Sequence, residues 1–382
     1  MKSSPALIGN KIESVLPYHI SDEFVVDAKE DGKVVEVTED FVIIKYKSGK
    51  NYAIDISNRI RNNAAAGFHI ENKLECDLKV GQSFKKGDIL AFNNKAFTKN
   101  KYDRGASMNL GVLTKIAIMP SWETYEDSSP MTTKLAKELA TEMVWEKAVT
   151  LNPNTVVEKI VKIGDKVNTG DTLMLFEQVE EEEFAQILAN VRDELQEELI
   201  EGTKSTIQSK YTGEIVDVKV YTTVDPDELS PSLSKIVKAY HSKINKRNKV
   251  LDKYSNEGDL NYYKCGQVLN EEDKVMVPSA NGKIKGEYID KGVVIVFYIK
   301  YLDIAGKGDK VCAQFALKGI NVHVVPEGRE PHSEYRPTEE IGTIISPLAV
   351  SARKTPTILL TMYTNKILIE AKRHLKEFYL NN

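Results

Sequence analysis

The chain has 382 residues, 41% of them hydrophobic and 28% charged, with a formal net charge of −4. Such a length is a prior for two or three domains with real cores, and the charge balance excludes bulk positive charge as a way of holding nucleic acid, leaving local clusters or a complex. No apolar run approaches the ~18 residues of a membrane span, and Cys76, Cys265 and Cys312 are too scattered for a metal site or a disulfide framework, so a soluble protein of a reducing compartment with no membrane partner is expected.

Residues 23 to 118 read mostly as strand. Val34, Val35, Val37, Phe41, Val42, Ile43, Ile44 and Tyr46 flank an acidic turn at Glu39-Asp40, and β-branched and aromatic residues suit a pleated, half-buried surface. Ile116-Ala117-Ile118-Met119 reads as a short buried strand ending at Pro120. A phrase recurs: Val80-Gly81 with Gly87-Asp88-Ile89-Leu90 is echoed by Ile163-Gly164 with Gly170-Asp171-Thr172-Leu173. Glycine permits the positive φ of a tight turn and Asp bonds nearby backbone, so a repeated β-turn accounts for it. Lipoyl and biotinyl carriers share the phrase, but they need an exposed modifiable Lys at a hairpin tip, and none is evident.

Four helices follow from caps and periodicity. Ser129-Pro130 reads as an N-cap and first turn leading into Leu135, Leu139, Ala140 and Met143. Residues 180 to 200 are acidic with apolar positions at helical spacing. Ser230-Pro231 caps a helix whose outer face holds Lys235, Lys238, Lys243, Lys246, Arg247 and Lys249; that face is either solvated or a contact for nucleic acid or the acidic helix. The last helix runs from about Thr357 to Leu380. Between them, Gly213 to Val220 and Gly292 to Ile299 are strands.

Three places carry chemistry. Glu126-Asp127 is either the acidic start of a helix or a pair of carboxylates, one of which approaches a Mg²⁺ that also binds substrate phosphates. Lys310 and Lys318 frame an unusually apolar turn, Val311 to Leu317, and are either snorkelling surface cations or charges held over a partly buried site. Arg353 follows Ser346-Pro347-Leu348-Ala349-Val350-Ser351-Ala352, and its planar fork suits two phosphate oxygens at once. His323 and His332 have no accompanying nucleophile motif, and there is no phosphate loop.

In order and wording these segments resemble the catalytic half of the β subunit of multisubunit RNA polymerase. Ser4-Pro5-Ala6-Leu7-Ile8-Gly9 is similar to the family's Asn-Arg-Ala-Leu-Met-Gly, and Met119-Pro120 through Asp127 to its Met-Pro-Trp…Tyr-Asn-Phe-Glu-Asp. Residues 161 to 173 and 213 to 222 follow with the Gly-Asp and Asp-Val phrases. Gly308 to Gly319 resembles Gly-Asp-Lys-Met-Ala-Gly-Arg-His-Gly-Asn-Lys-Gly, and Pro347 to Arg353 resembles Pro-Leu-Gly-Val-Pro-Ser-Arg. The resemblance implies that Glu126 and Asp127 help hold a second Mg²⁺ and the nucleotide phosphates. Lys310 and Lys318 would contact the RNA 3′ end and phosphates, and Arg353 would stabilise the triphosphate. It further implies that the aspartates chelating the first Mg²⁺ belong to a β′-type chain, so that no metal is held by this chain alone. Two departures stand out: the family's N-terminal Arg is Pro5, and Arg-His-Gly-Asn has become Gln314-Phe315-Ala316-Leu317.

The expectation is therefore an α+β protein. Residues 1–130 and 301–355 would build a double-psi β-barrel, residues 131–300 a flap-like β/α insertion, and residues 356–382 a C-terminal helix. It would serve as the C-terminal portion of β in a split polymerase similar to those of large bacteriophages, inactive without its partner chains. Expected partners are the N-terminal part of β, β′-type chains, DNA, RNA, nucleoside triphosphates and a promoter-specificity factor at the flap. The setting would be the host cytoplasm, with packaging in the virion open. Two rivals remain: a non-enzymatic barrel-sandwich carrier or interaction protein, and a polymerase-like scaffold without catalysis.

Overall fold

The computed structural model describes residues 3–9, 11–63, 68–178, 204–255, 260–262, 283–284, 287–288, 291–313, 317–354 and 356–381. The acidic segment expected to be helical at 180–200, Cys265 and Gln314-Phe315-Ala316 lie outside the described residues. The protein is α+β, mostly strand with few helices. It divides into two compact units, one of Met1–Ile20, Asn93–Thr141 and Asp303–Asn382, the other of Ser21–Phe92 and Glu142–Leu302. Residues 21–92, expected in the first segment of a barrel, thus belong with the central region. The reason is pairing: Arg59–Asn63 and Phe68–Asn72 join a six-stranded sheet with Thr141–Leu151, Val293–Asp303, Gly213–Thr222 and Lys166–Val167.

In that second unit the strand Val293–Asp303 is buried at its first seven positions. Alternate side chains of a strand point to opposite faces. Val293, Ile295, Phe297 and Ile299 enter one core with Leu173, Phe176 and Leu233, while Val294, Val296 and Tyr298 enter another with Val144 and Tyr221. A continuous apolar run is what a strand covered on both sides needs.

The helix Pro231–Ser255 starts as its cap predicts, with the Ser230 hydroxyl accepting from Leu233 N at 3.3 Å. Its first half seats Leu233 and Val237 in the first core, and its second half packs Leu251 and Tyr254 on Phe41, Ile43 and Ala53. The basic face is divided. Arg247 donates to Asp55 at 3.1 Å, Lys238 pairs with Asp227 at 2.7 Å, and Lys235, Lys243, Lys246 and Lys249 are exposed. Asp55 has no solvent-exposed side-chain surface and also accepts from Arg59 and from Ser57 N. Nearby, burial raises the Asp40 carboxyl above its ordinary value.

Five turns among the described residues share one design. In 79–82, 85–88, 162–165, 168–171 and 306–309 the third residue is glycine, with φ between +83° and +96°, as a type II turn requires. The fourth residue's side chain (Gln82, Asp88, Asp165, Asp171 or Asp309) accepts from the first residue's N at 2.7–3.0 Å. The glycine N–H and the fourth residue's C=O exchange bonds with one partner residue, respectively Val34, Ala28, Ile215, Ser209 and Asn321. The repeated phrase is thus a repeated turn.

The first unit holds a five-stranded sheet in the order Ile116–Ile118, Thr343–Ile345, Ser128–Thr132, Leu317–Val325, Lys310–Ala313. Ile116–Ile118 runs parallel to Thr343–Ile345, and Ser128–Thr132 parallel to Leu317–Val325. No closed barrel is present among the described residues. Ser129-Pro130, expected to cap a helix, lies in a strand. Pro130 cannot donate to the ladder, and the register shifts between Ser129 and Pro130 to admit it. The helix begins later, at Thr133–Glu138, capped by the Thr132 hydroxyl, which accepts from Leu135 N at 3.3 Å.

Replacing Asp55 by Ala takes from the largely buried guanidiniums of Arg59 and Arg247 the carboxylate they share, leaving Arg247 the Ser57 hydroxyl and the Phe41 ring. A loss of about 3 kcal/mol or more is expected, read as a lowered urea midpoint, with hydrogen exchange rising first in the C-terminal half of the Pro231–Ser255 helix.

Candidate functional site

The fifth glycine turn starts the site. Gly308-Asp309 closes it and Lys310 opens the strand Lys310–Ala313. That strand pairs antiparallel with Leu317–Val325, with Lys310 opposite Ile320 and Cys312 opposite Lys318. Opposed residues share a face and the period is two. Lys310, Cys312, Lys318 and Ile320 therefore stand on one face, and all four are exposed. Leu317, on the other face, is buried with Ile345, Ala349 and Val350.

The carboxylates reach this hairpin through the neighbouring parallel strand. Ile320 N donates to Asp127 O at 2.8 Å, one residue before Ser128–Thr132 begins. Gly319 makes the approach feasible: a Cβ there would lie 2.5 Å from Asp127 O. Glu126 adopts φ +48°, a left-handed conformation that L residues seldom take and that clusters at functional sites. The helix-start alternative for these acids fails, because a strand follows them.

Arg353 arrives by another route. The strand Thr343–Ile345 leads into the helix Pro347–Ala352, capped by the Ser346 hydroxyl, which accepts from Leu348 N at 3.2 Å. Ala349 and Val350 anchor it in the core, and Arg353 ends it. Its Nη2 donates to Asp127 Oδ1 and Oδ2 at 3.1 and 3.2 Å. The next residue, Lys354, has φ +51°.

Glu126, Asp127, Lys310 and Lys318 line one cleft of about 1940 Å³ within this unit, and Arg353 is tied to it through Asp127. Pro5 lines it too. Two carboxylates and two lysines on one cleft, with a guanidinium bonded to one acid, are the residue types that phosphates and a divalent cation take as ligands. Among the described residues no group of three or more His, Cys, Asp or Glu is placed to hold a metal. None of the described helices is long and apolar enough to cross a membrane. His323 pairs with Glu123, facing a second cavity of 380 Å³ beside Trp122 and Arg329.

Sequence reasoning missed the cations at the far wall of the cleft. Lys115, Arg336 and Lys366 line it and converge on two carboxylates. Glu339 pairs with Lys115, Arg336 and Arg373, and Glu370 with Arg336, Arg373 and Lys366. This network fastens the helix Thr357–Asn381 to the strand Arg336–Glu340. Burial, then the charges of Lys366 and Arg336, lower the Lys115 pKa despite its partner Glu339. Bonding by Lys366 lowers that of Glu370. The legible signals were the spacings on the last helix, Lys366 to Glu370 at i,i+4 and Glu370 to Arg373 at i,i+3.

The family model described as RNA polymerase Rpb2, domain 6, matches residues 106–378, a stretch containing all five expected site residues. The DNA-directed RNA polymerase subunit beta of Acetivibrio thermocellus is 23% identical over 312 residues, covering 73% of this chain and 23% of that protein. The subunit of the same name from Clostridioides difficile is 28% identical over 284 residues, covering 65% and 21%. That of Clostridium kluyveri is 33% identical over 126 residues, covering 31% and 10%. The chain spans less than a quarter of the length of these relatives.

Two outcomes are expected. Gly319→Ala forces the hairpin away from Asp127 and lowers stability by about 1–3 kcal/mol, measured by urea denaturation. Because the folded Glu370 pKa lies below its ordinary value, its contribution is present above about pH 4.3 and drains as pH falls through the folded value. Hydrogen exchange in Thr357–Asn381 should therefore rise on acidification, and Glu370→Gln should flatten that dependence.

Proposed function

The chain belongs to the family described as RNA polymerase Rpb2, domain 6, and from that premise we propose that it works as the C-terminal catalytic part of a β-type subunit of a DNA-directed RNA polymerase. The observation that carries the reading is the shared cleft of Glu126, Asp127, Lys310 and Lys318, with Arg353 bonded to Asp127. Nucleotidyl transfer asks a protein mainly to position groups and to neutralise charge that develops on phosphate oxygens. Lys310 and Lys318 stand on one face of the hairpin, where their ammonium groups hold the RNA 3′ end and the triphosphate. Arg353 offers a fork to the triphosphate. Glu126 and Asp127 fit a Mg²⁺ that keeps several waters and takes a carboxylate plus phosphate oxygens; when bound, that ion neutralises phosphate charge and orients the reacting oxygens. A β′-type chain supplies the remaining metal ligands, so this chain alone is inactive.

The mixed sheet of the first unit, with its two parallel pairs, supports reading it as part of a double-psi β-barrel, and the second unit as the flap-like region. In this reading the N-terminal part of β, β′-type chains, DNA, RNA and nucleoside triphosphates are partners, and a promoter-specificity factor meets the flap. The Thr357–Asn381 helix leaves Leu360, Tyr363, Ile367, Leu375 and Phe378 exposed, a face suited to another polymerase chain. The split form, similar to polymerases of large bacteriophages acting in the host cytoplasm, belongs to the same proposal. A carrier protein would have no use for this convergence of acids and cations.

In the reconstituted complex, Lys310→Ala with Lys318→Ala should slow single-nucleotide addition by about 100-fold or more without changing assembly. Full activity in that variant would refute the reading.

A further inference from the structure

Asn321 fastens the loop that launches Lys310. It is 0% exposed and stands in register with Ser129 of the adjacent parallel strand. Its N–H donates to Asp309 O at 2.8 Å and its C=O accepts from Gly308 N at 2.7 Å. This is the backbone exchange that Val34, Ala28, Ile215 and Ser209 make with the other four turns.

Two things set the 306–309 turn apart. Its first residue is Gly306, where the other turns have Lys79, Lys85, Lys162 and Asn168. A glycine there leaves the backbone freer. It is also the only one of the five whose partner residue adds a side-chain bond: Asn321 Nδ2 donates to Gly306 O at 2.7 Å. The extra bond falls on the residue that is conformationally loosest.

Stability alone does not account for an asparagine here. Its Oδ1 is buried and has no hydrogen-bond partner among the described residues, and an unmade bond of a buried polar group is unfavourable. An apolar side chain would avoid it.

We propose that Asn321 is a positioning residue for Lys310: its amide fixes Gly306 and thereby the turn, holding the lysine at one place on the cleft wall. The inference rests on the polymerase reading of Lys310. It assigns Asn321 an effect on the reaction that passes only through that lysine.

The test is single-nucleotide addition by the reconstituted polymerase carrying Lys310→Ala, Asn321→Leu, or both, with thermal midpoints recorded alongside. Asn321→Leu should slow addition on the order of 10-fold, since small misplacements of a catalytic group are felt strongly, while the midpoint stays close to that of the parent. The double variant should be no slower than Lys310→Ala alone. Gly306→Ala, which has room because the nearest atom to its Cβ would be 4.0 Å away, should stiffen the turn and restore part of the rate in the Asn321→Leu background. If Asn321→Leu fails to assemble, Asn321→Ala with the same rescue gives the same reading. Slowing in the double variant equal to the product of the two single effects would overturn the proposal, as would lowered stability with an unchanged rate. A Lys310→Ala enzyme of full activity would overturn it as well, by removing the role given to Lys310, whereas the polymerase reading falls only if the Lys310→Ala, Lys318→Ala variant keeps full activity.

Discussion

The parallel pairing of Ser128–Thr132 with Leu317–Val325 is the constraint on which the site depends. It joins segments nearly 200 residues apart, and it sets the carboxylates at the start of one strand beside Lys318 on the other, whose antiparallel neighbour carries Lys310. Three consecutive residues make the junction. Gly319 lets Asp127 approach, Ile320 N bonds Asp127 O, and Asn321 holds the turn before Lys310. A parallel pair requires a crossover connection, and a long one is entropically tolerable because the closure cost grows only slowly with length. Once the pair has formed, acids and cations are neighbours without any sequence-local device.

The charges of the cleft fall into two groups with different physical roles. On the far wall, Lys115, Arg336 and Lys366 crowd around Glu339 and Glu370, with Arg373 joining from behind the lining, and most of their bonding capacity is spent within the protein on docking the C-terminal helix. On the hairpin, Lys310 and Lys318 are exposed on the sheet face, where a diffusing anion can reach them. Arg353 is intermediate: its contact with Asp127 is exposed enough to be exchanged, since such pairs contribute little to stability. That division, one set of cations spent on structure and one presented to the cleft, is what the proposed phosphate chemistry needs.

Much of this was legible locally. The Ser230-Pro231 cap, the strands expected at 213–220 and 292–299, and the Gly-Asp turns each follow from short-range rules of backbone conformation, and the structure follows them. The Ser129-Pro130 pair misled because its chemistry fits a helix start as well as a strand with a shifted register, and only the partner strand decides between them. Residues 21–92 were assigned away from the central region for the same reason, since the pairing of Val144 with His69 leaves no mark in either segment. Asn321 carried no such signal: alternating with Ile320 and Val322 it reads as a solvent-facing position, yet it is buried. The shared design of the 306–309 turn and the earlier four was open to reading, from glycine at the third position and an acceptor side chain at the fourth.

The most direct measurement uses Cys312, exposed on the face that bears Lys310 and Lys318. An RNA primer with a thiol-reactive group at its 3′ end is bound to the assembled polymerase, and the adduct is located by peptide mapping. The account predicts an adduct at Cys312 that Cys312→Ser abolishes. An active complex whose RNA end labels other chains and never Cys312 would contradict the claim that this strand face meets the growing transcript.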